Sequence, residues 1–539
     1  MNLKPLIHLA RPSAPRMLVN FFIGLLQVAA SLMFVWSSKA LVDIVTGERE
    51  MNLYLGVALM LGTMLVQIAC RVGSAWWDQY NSARTRNELR HSIFERVLGS
   101  RWSGKERFHS ADAVNRLEED IRVVTELFCT RIPGFLVSAV QMVAASIFLV
   151  VMAPDLWWVL VTLTVVALLG ARLFFRKVRA LTAQLRSNDS RLQQHIQEHL
   201  SFRVLALMIF GPSKVMEGLD DLQAQQLKIT LERMNYSAVS RTFMGLGFTG
   251  GYAAAFLWGI FGIRSGAVTY GMMTAFLQLV SQVQRPIADM GSSVPAFIHA
   301  LTSVDRLWEL YSLEQEDSVA EDSLSAMPGV RFEDVSFSYG PDGAKVLSGV
   351  SFDCKPGTLM ALAGPTGIGK STILRLAMGL LRPDSGRIVL YDGDAEAVPS
   401  AGTRHHFQYV PQGNTLLAGT IRENLLMANP SASEEMLLEA LRTAEAGFVQ
   451  DLPEGLDTRC GEIGAGLSEG QSQRIAIARA LLHPGGILVL DEASSALDAD
   501  TEKRLLDNLS KAYSGKKTII FVSHREAVAR IADYSFSLQ

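Results

Sequence analysis

The sequence predicts a chain in two parts: an α-helical membrane domain with six transmembrane helices, followed by an α/β domain built around a P-loop. Three observations predict it. Six long uncharged stretches occupy the chain up to Gln284, an acidic segment after about residue 310 marks a change of character, and short β-branched runs then alternate with helical patterns.

The membrane part comes first. Of 539 residues, 49% are hydrophobic and the net charge is −3, which is apolar for a soluble protein and nearly neutral for a nucleic-acid binder. No nucleic-acid partner is expected. Uncharged stretches run from Met17 to Ser38, Met51 to Cys70, Ile132 to Pro154, Leu156 to Ala171, Thr242 to Ile263 and Ser265 to Gln284. Most approach the roughly 20 residues that cross a bilayer core. The fourth is the shortest, but Trp157 and Trp158 at its start suit an interfacial aromatic belt, and the amphipathic "RLFFRKVRAL" continues it out of the membrane. Basic residues between Arg84 and Arg122, and again between Arg172 and Arg203, place those two segments in the cytoplasm, whereas the other connections are short and poor in positive charge. Both termini are then cytoplasmic. The cysteines, Cys70, Cys129, Cys354 and Cys460, are scattered without metal-ligand spacing and read as buried thiols.

"SLEQEDSVAEDSLSAMPG" is acidic, small and polar, and reads as a linker. Beyond it, "LMALAGPTGIGKST" is an apolar strand followed by Gly364, Pro365, Thr366, Gly367, Ile368, Gly369, Lys370 and Ser371, then a helix from near Thr372. This is a P-loop: its glycines let backbone N–H groups wrap phosphates, Lys370 brings a point charge to them, and Ser371 offers a hydroxyl to Mg²⁺. In "ILVLDEASSALD", Asp491 and Glu492 end a buried strand at the edge where open parallel sheets bind ligands. Asp491 is placed to hold Mg²⁺ through water, and Glu492 to orient or deprotonate an attacking water. Paired acids after a strand also serve as helix caps, but following a P-loop the catalytic reading dominates. In "TIIFVSHREA", His524 leaves a third buried strand at the same edge and is able to hydrogen-bond the γ-phosphate and the water.

The order of "GPTGIGKST", "YVPQ", "LSEGQSQRIAIARALL", "ILVLDE", "SALD" and "VSH" resembles the nucleotide-binding domain of ABC transporters, and six spans ahead of it resemble an exporter-type half-transporter. The resemblance implies an ABC-type ATPase with ATP and Mg²⁺ as cofactors. It implies a membrane domain with long cytoplasmic extensions over 1–312, a linker over 313–328 and a nucleotide-binding domain over 329–539. It further implies that Tyr339 stacks on adenine, that Gln412 reaches Mg²⁺ and the water, and that Asp498 helps two nucleotide domains communicate. By the same resemblance, segments 110–120, 197–211 and 458–462 carry contacts between the membrane and nucleotide layers.

"GLSEGQSQR" sets a Ser and two Gly residues at a helix start, which favours an anion, yet Glu469 stands among them. In the family this turn caps the γ-phosphate of ATP held by the other subunit, so Ser468, the N–H of Gly470 and Gln471 are the implied contacts and dimerisation is required. The usual family pattern has Gly where this chain has Glu469. A carboxylate turned to solvent would complement the helix N-terminus, and that orientation is favoured.

Intact Glu492 and His524 favour an ATP-driven exporter working as a dimer, a homodimer before a heterodimer; the alternative is an ATP-gated channel or regulatory subunit. Met60, Met64, Met142, Met244, Met272 and Met273, with few ionisable residues in the spans, give a mild preference for a hydrophobic or amphipathic cargo: lipid, drug or peptide. The short linker and brief N-terminus suggest a bacterial cytoplasmic membrane.

Overall fold

The structure, a computed structural model, describes residues 4–102, 110–152, 154–317, 324, 327–340, 344–365, 367–461, 466–523 and 531–538. It forms two units, Met1–Phe94 with Ala113–Tyr311, and Glu95–Asp112 with Ser312–Gln539.

The first unit is helical: α1 (Lys4–Ala10), α2 (Ala14–Val45), α3 (Leu53–Leu98), α4 (Ser110–Asn115), α5 (Ile121–Glu126), α6 (Ile132–Met152), α7 (Pro154–Ser201), α8 (Arg203–Ile209), α9 (Gly211–Arg264) and α10 (Tyr270–Tyr311). Helices satisfy their backbone groups internally, which an apolar chain in a bilayer requires. Two wider π turns, Arg116–Asp120 and Leu127–Arg131, join α4, α5 and α6 into one run. Asp120 in the first is buried and accepts a bond from Arg306 Nη2 of α10 at 2.5 Å. Val35, Ala145, Leu149, Ala255, Phe276 and Leu279 are fully buried where α2, α6, α9 and α10 meet. α7 packs along α9, and the short α8 joins them, with Val204 and Met208 77% and 83% exposed.

Four runs, Lys4–Val45, Leu53–Leu98, Ala113–Met152 and Gly211–Arg264, are long and apolar enough to cross a membrane among the described residues. The fourth and sixth expected stretches fall in α7 and α10. One boundary differs from expectation. Ser265–Thr269 form a turn rather than the start of the sixth helix, because Gly266 adopts a left-handed φ of 75° that terminates α9.

The second unit contains β1 (Gly329–Ser338), β2 (Lys345–Cys354), β3 (Leu359–Ala363), α11 (Lys370–Ala377), β4 (Ser385–Asp392), β5 (Ala395–Ala397), β6 (Phe407–Val410), β7 (Gly419–Thr420), α12 (Ile421–Leu426), α13 (Glu434–Thr443), β8 (Arg459–Cys460), α14 (Glu469–Leu482), β9 (Ile487–Asp491), α15 (Ala499–Tyr513), β10 (Thr518–Val522) and β11 (Tyr534–Ser537). A parallel sheet has the order β11-β3-β10-β9-β6, and an antiparallel one the order β2-β1-β4-β5. Both faces of the parallel sheet are covered, which is why its strands read as unbroken apolar runs. Leu488, Leu490 and Phe521 enter the core shared with α13, α14 and α15, while Ile487, Val489 and Ile520 enter the core shared with β1, β2 and α11.

Register aligns the strand ends. Val522 pairs with Leu362 on one side and Asp491 on the other, and Leu490 pairs with Val410, so β3, β10, β9 and β6 all end at one edge. The start of the acidic segment is tied down in this unit. Arg101 Nη1 donates to Glu314 at 2.5 Å, Arg404 grips Glu316 with two nitrogens at 2.8 and 2.5 Å, and Arg382 pairs with Asp317. All four cysteines are buried free thiols, as expected.

Candidate functional site

The loop after β3 is shaped by backbone that only glycine adopts without strain. Gly364, Gly367 and Gly369 have φ of 145°, 83° and 112°, and Gly369 opens α11. Lys370, 5% exposed, folds its Nζ over the loop onto the carbonyls of Gly364 and Pro365 at 2.8 and 3.0 Å. Its charge is therefore held at the loop, at the N-terminus of α11 where the helix dipole also favours an anion.

Ser371 and Asp491 are brought together, with Ser371 Oγ donating to Asp491 Oδ1 at 3.3 Å. A hydroxyl and a carboxylate facing each other are hard oxygen donors of the kind Mg²⁺ selects, so the residues present fit that ion. Asp491 also accepts from the Tyr409 hydroxyl at 3.4 Å. Burial raises the Asp491 carboxyl above its ordinary range, Glu492 adds to the rise, and the bonds from Ser371 and Tyr409 oppose it. The Tyr409 phenol is pushed up to about 12 by burial and by the neighbouring carboxylate.

Glu492 turns away from the strand in a left-handed conformation, φ 51°, with its N–H on the Val522 carbonyl at 3.1 Å. Such a φ costs a non-glycine residue on the order of 1–3 kcal/mol and persists where the surroundings impose it. Its carboxylate accepts from Gln412 Nε2 at 3.1 Å, so the two side chains expected to handle water are already paired. Tyr339, at the end of the β1 segment, shares a hydrogen bond of 2.9 Å with Thr372 and receives one of 3.4 Å from Arg375. Arg375 lies over the Trp102 ring, 4.6 Å from its centroid. The expected residues Thr366 and His524 lie outside the described residues, as does part of segment 458–462.

The signature turn is built as a helix cap. Ser468 Oγ accepts from the Gln471 N–H at 3.2 Å, and Gln471 Oε1 accepts from the Ser468 N–H at 2.8 Å, so each closes the other's bond at the start of α14. The Ser468 hydroxyl keeps its own proton and the Gln471 amide keeps its N–H groups, so both retain donors for an anion. Glu469 is exposed in the first turn. Gly470 is needed for space, since a Cβ there would sit 2.8 Å from the Ala496 carbonyl oxygen. Gln473 bonds Ser495 Oγ and the Ala496 N–H, each at 3.3 Å, locking the turn to the "SALD" segment. Arg474 braces the same helix end from Gly470 O, Glu445 O and the Phe448 ring. Asp498 caps α15 by accepting the Thr501 N–H at 3.0 Å, and that bond holds its carboxyl below the ordinary range.

Sequence reasoning missed Tyr409 and Arg375, which lies over the Trp102 ring and donates to the Tyr339 hydroxyl. Tyr409 sits three residues before Gln412 in the "YVPQ" run, but its partner arrives through the pairing of β6 with β9, which no local spacing reveals.

A phosphate-binding loop and an acid pair on one sheet edge, in a chain whose other part contains membrane-length helices, define a nucleotide-driven membrane machine. Comparison agrees: the ABC transporter transmembrane region family matches residues 17–287, and the ABC transporter family matches residues 347–495. The chain belongs to the ABC transporter family and is an ATP-hydrolysing transporter of the exporter kind. It is 29% identical to the ABC multidrug transporter mdr2 of Aspergillus fumigatus over 98% of this chain and 68% of that protein. It is 27% identical to a fatty acid ABC transporter ATP-binding/permease protein of Mycobacterium tuberculosis over 92% of this chain and 78% of that one. Its fold is shared with a bacterial Atm1-family ABC exporter with ATP bound, at a TM-score of 0.78 and 22% identity, covering 98% of this chain and 93% of that one.

Proposed function

We propose that this chain is one half of an ATP-driven exporter that works as a homodimer and moves a hydrophobic or amphipathic cargo out of the cytoplasm. Its nucleotide-binding part faces the cytoplasm of a bacterial cell. The observation that carries this reading is the 3.1 Å pairing of Gln412 with Glu492 beside the Ser371–Asp491 pair, an arrangement suited to turnover rather than to nucleotide storage. The alternative, a channel or regulatory subunit gated by ATP, has less need of it.

In this reading the N–H groups of the loop from Gly364 to Gly369, and Lys370, hold the phosphates of ATP, and Tyr339 takes the adenine. Ser371, Asp491 and Gln412 would hold Mg²⁺, which when bound neutralises charge developing on the phosphate oxygens. Gln412 orients a water toward the γ-phosphate, and the Glu492 carboxylate accepts its proton. His524 serves the same water. The donors kept by Ser468 and Gln471, with the N–H of Gly470, approach the γ-phosphate held by the partner chain, so two copies complete two sites. Asp498, next to the Ala496 contact, transmits closure between them.

The test is Mg²⁺-dependent ATP hydrolysis by the chain alone in lipid nanodiscs beside Glu492→Gln, followed by nucleotide-dependent uptake of a lipophilic dye into inverted vesicles. Hydrolysis that the substitution abolishes, with dye uptake, supports the reading. A folded, ATP-binding chain with no hydrolysis, or passive ion flux with ATP bound, would overturn it.

A further inference from the structure

An open apolar pocket of about 550 Å³ lies between α6, α7 and α10 of the helical unit, with Val143 and Ile147 of its wall more than half exposed, and its volume is within the size range of small-molecule sites. Met142 and Ile147 from α6, Trp157 and Val161 from α7, and Val283 and Gln284 from α10 line it. Three polar side chains reach the lining, the hydroxyls of Ser146 and Thr164 and the amide of Gln284. Gln284 is 7% exposed, yet its amide nitrogen is buried with no hydrogen-bond partner among the described residues. A bare donor in an apolar setting is costly to keep, and a buried polar group without a partner asks for one. The terminal amide torsion of glutamine is soft, so the nitrogen turns toward the cavity at little cost.

We propose that this cavity is a binding site for an uncharged lipophilic molecule that carries a hydrogen-bond acceptor such as an ester or amide carbonyl, which receives the Gln284 N–H. Apolar walls take the hydrocarbon, and the carbonyl satisfies the Gln284 donor, the buried side-chain nitrogen of the lining that lacks a partner among the described residues. A charged ligand does not fit, because no ionisable side chain lines the cavity among the described residues and its lost hydration would go uncompensated. As a cargo site this rests on the export reading; as a binding site it stands apart from it.

The probe is methyl 9,10-dibromostearate, whose bromines quench tryptophan fluorescence on contact, titrated into the full-length protein in nanodiscs. The Trp157 signal is the difference between wild type and Trp157→Phe. The reference probe is 9,10-dibromooctadecane, which has no carbonyl. Saturable quenching of Trp157 by the ester, weakened about three- to tenfold in Gln284→Leu, is expected for the loss of one hydrogen bond. The hydrocarbon should bind Gln284→Leu no worse than wild type, and Val161→Phe, which takes up space in the pocket without adding a second tryptophan, should weaken quenching by both. Equal affinities for ester and hydrocarbon in the wild type would overturn the polar specificity, and so would indifference of the ester to Gln284→Leu. Absence of any Trp157-dependent quenching would overturn the site. Wild-type ATP hydrolysis is read in the same discs: intact hydrolysis without quenching removes the site alone, whereas quenching without hydrolysis removes the export reading and leaves the site.

Discussion

At the scale of single residues, Asp491 shows a functional group held at a cost to the fold. It is 6% exposed, and burial raises its carboxyl above the ordinary value. A carboxyl raised in the folded state favours the fold at pH below its unfolded value, and that contribution is lost as pH rises through the folded one. At neutral pH without Mg²⁺, Asp491→Asn should therefore stabilise the protein by about 1 kcal/mol, seen as a higher Tm, while ablating Mg²⁺-dependent hydrolysis. A variant that melts lower would show that the Ser371 and Tyr409 bonds outweigh desolvation. Tyr409→Phe removes a bond that lowers the Asp491 carboxyl, so the acid limb of the hydrolysis profile should move to higher pH and half-saturation by Mg²⁺ should rise several-fold. An unchanged pH profile would assign Tyr409 a packing role only. Asp491 was legible in the sequence because strand, acid pair and P-loop occur in order; Tyr409 was not, because its meaning depends on which strand lies beside β6.

Among elements, α14 performs two tasks with one turn. Ser468 caps the helix and, in the proposed dimer, donates to a phosphate. The tasks separate on substitution. Ser468→Ala loses the cap and should cost about 0.5–2 kcal/mol together with activity. Ser468→Asp keeps a good cap, so Tm should hold, but its charge opposes the phosphate and ATP hydrolysis should fall by at least about tenfold. Retained hydrolysis in Ser468→Asp would exclude a phosphate contact at this position. The sequence showed a helix start and an anion-binding composition here. That Gln471 completes the cap, and that Gly470 is small because Ala496 passes 2.8 Å from its missing Cβ, needed the fold. The misplaced start of α10 has a similar origin: Ser265–Thr269 are as apolar as a helix end, and only the left-handed Gly266 shows that the chain turns there.

For the whole molecule, the division into helical and α/β parts was legible because bilayer length and strand-loop-helix motifs leave wide marks on a sequence. Pairings within it were not, since the residues concerned lie far apart in the chain. Composite sites give a test at this scale. Glu492→Gln and Ser468→Asp chains, each inactive alone, should recover about a quarter of wild-type hydrolysis when co-expressed, because half of the dimers are mixed and each mixed dimer rebuilds one site. Mixtures as inactive as the parents would mean that each chain completes its own site or that the two sites fire only together. The helices α7 and α9, of 48 and 54 residues, are about 72 and 81 Å long at 1.5 Å per residue, and they are yoked at one end by α8. Such a pair is a stiff oar: a swing of about 5° at its far end sweeps the α8 blade through roughly 6 Å, so small angular changes at either end become strides at the other.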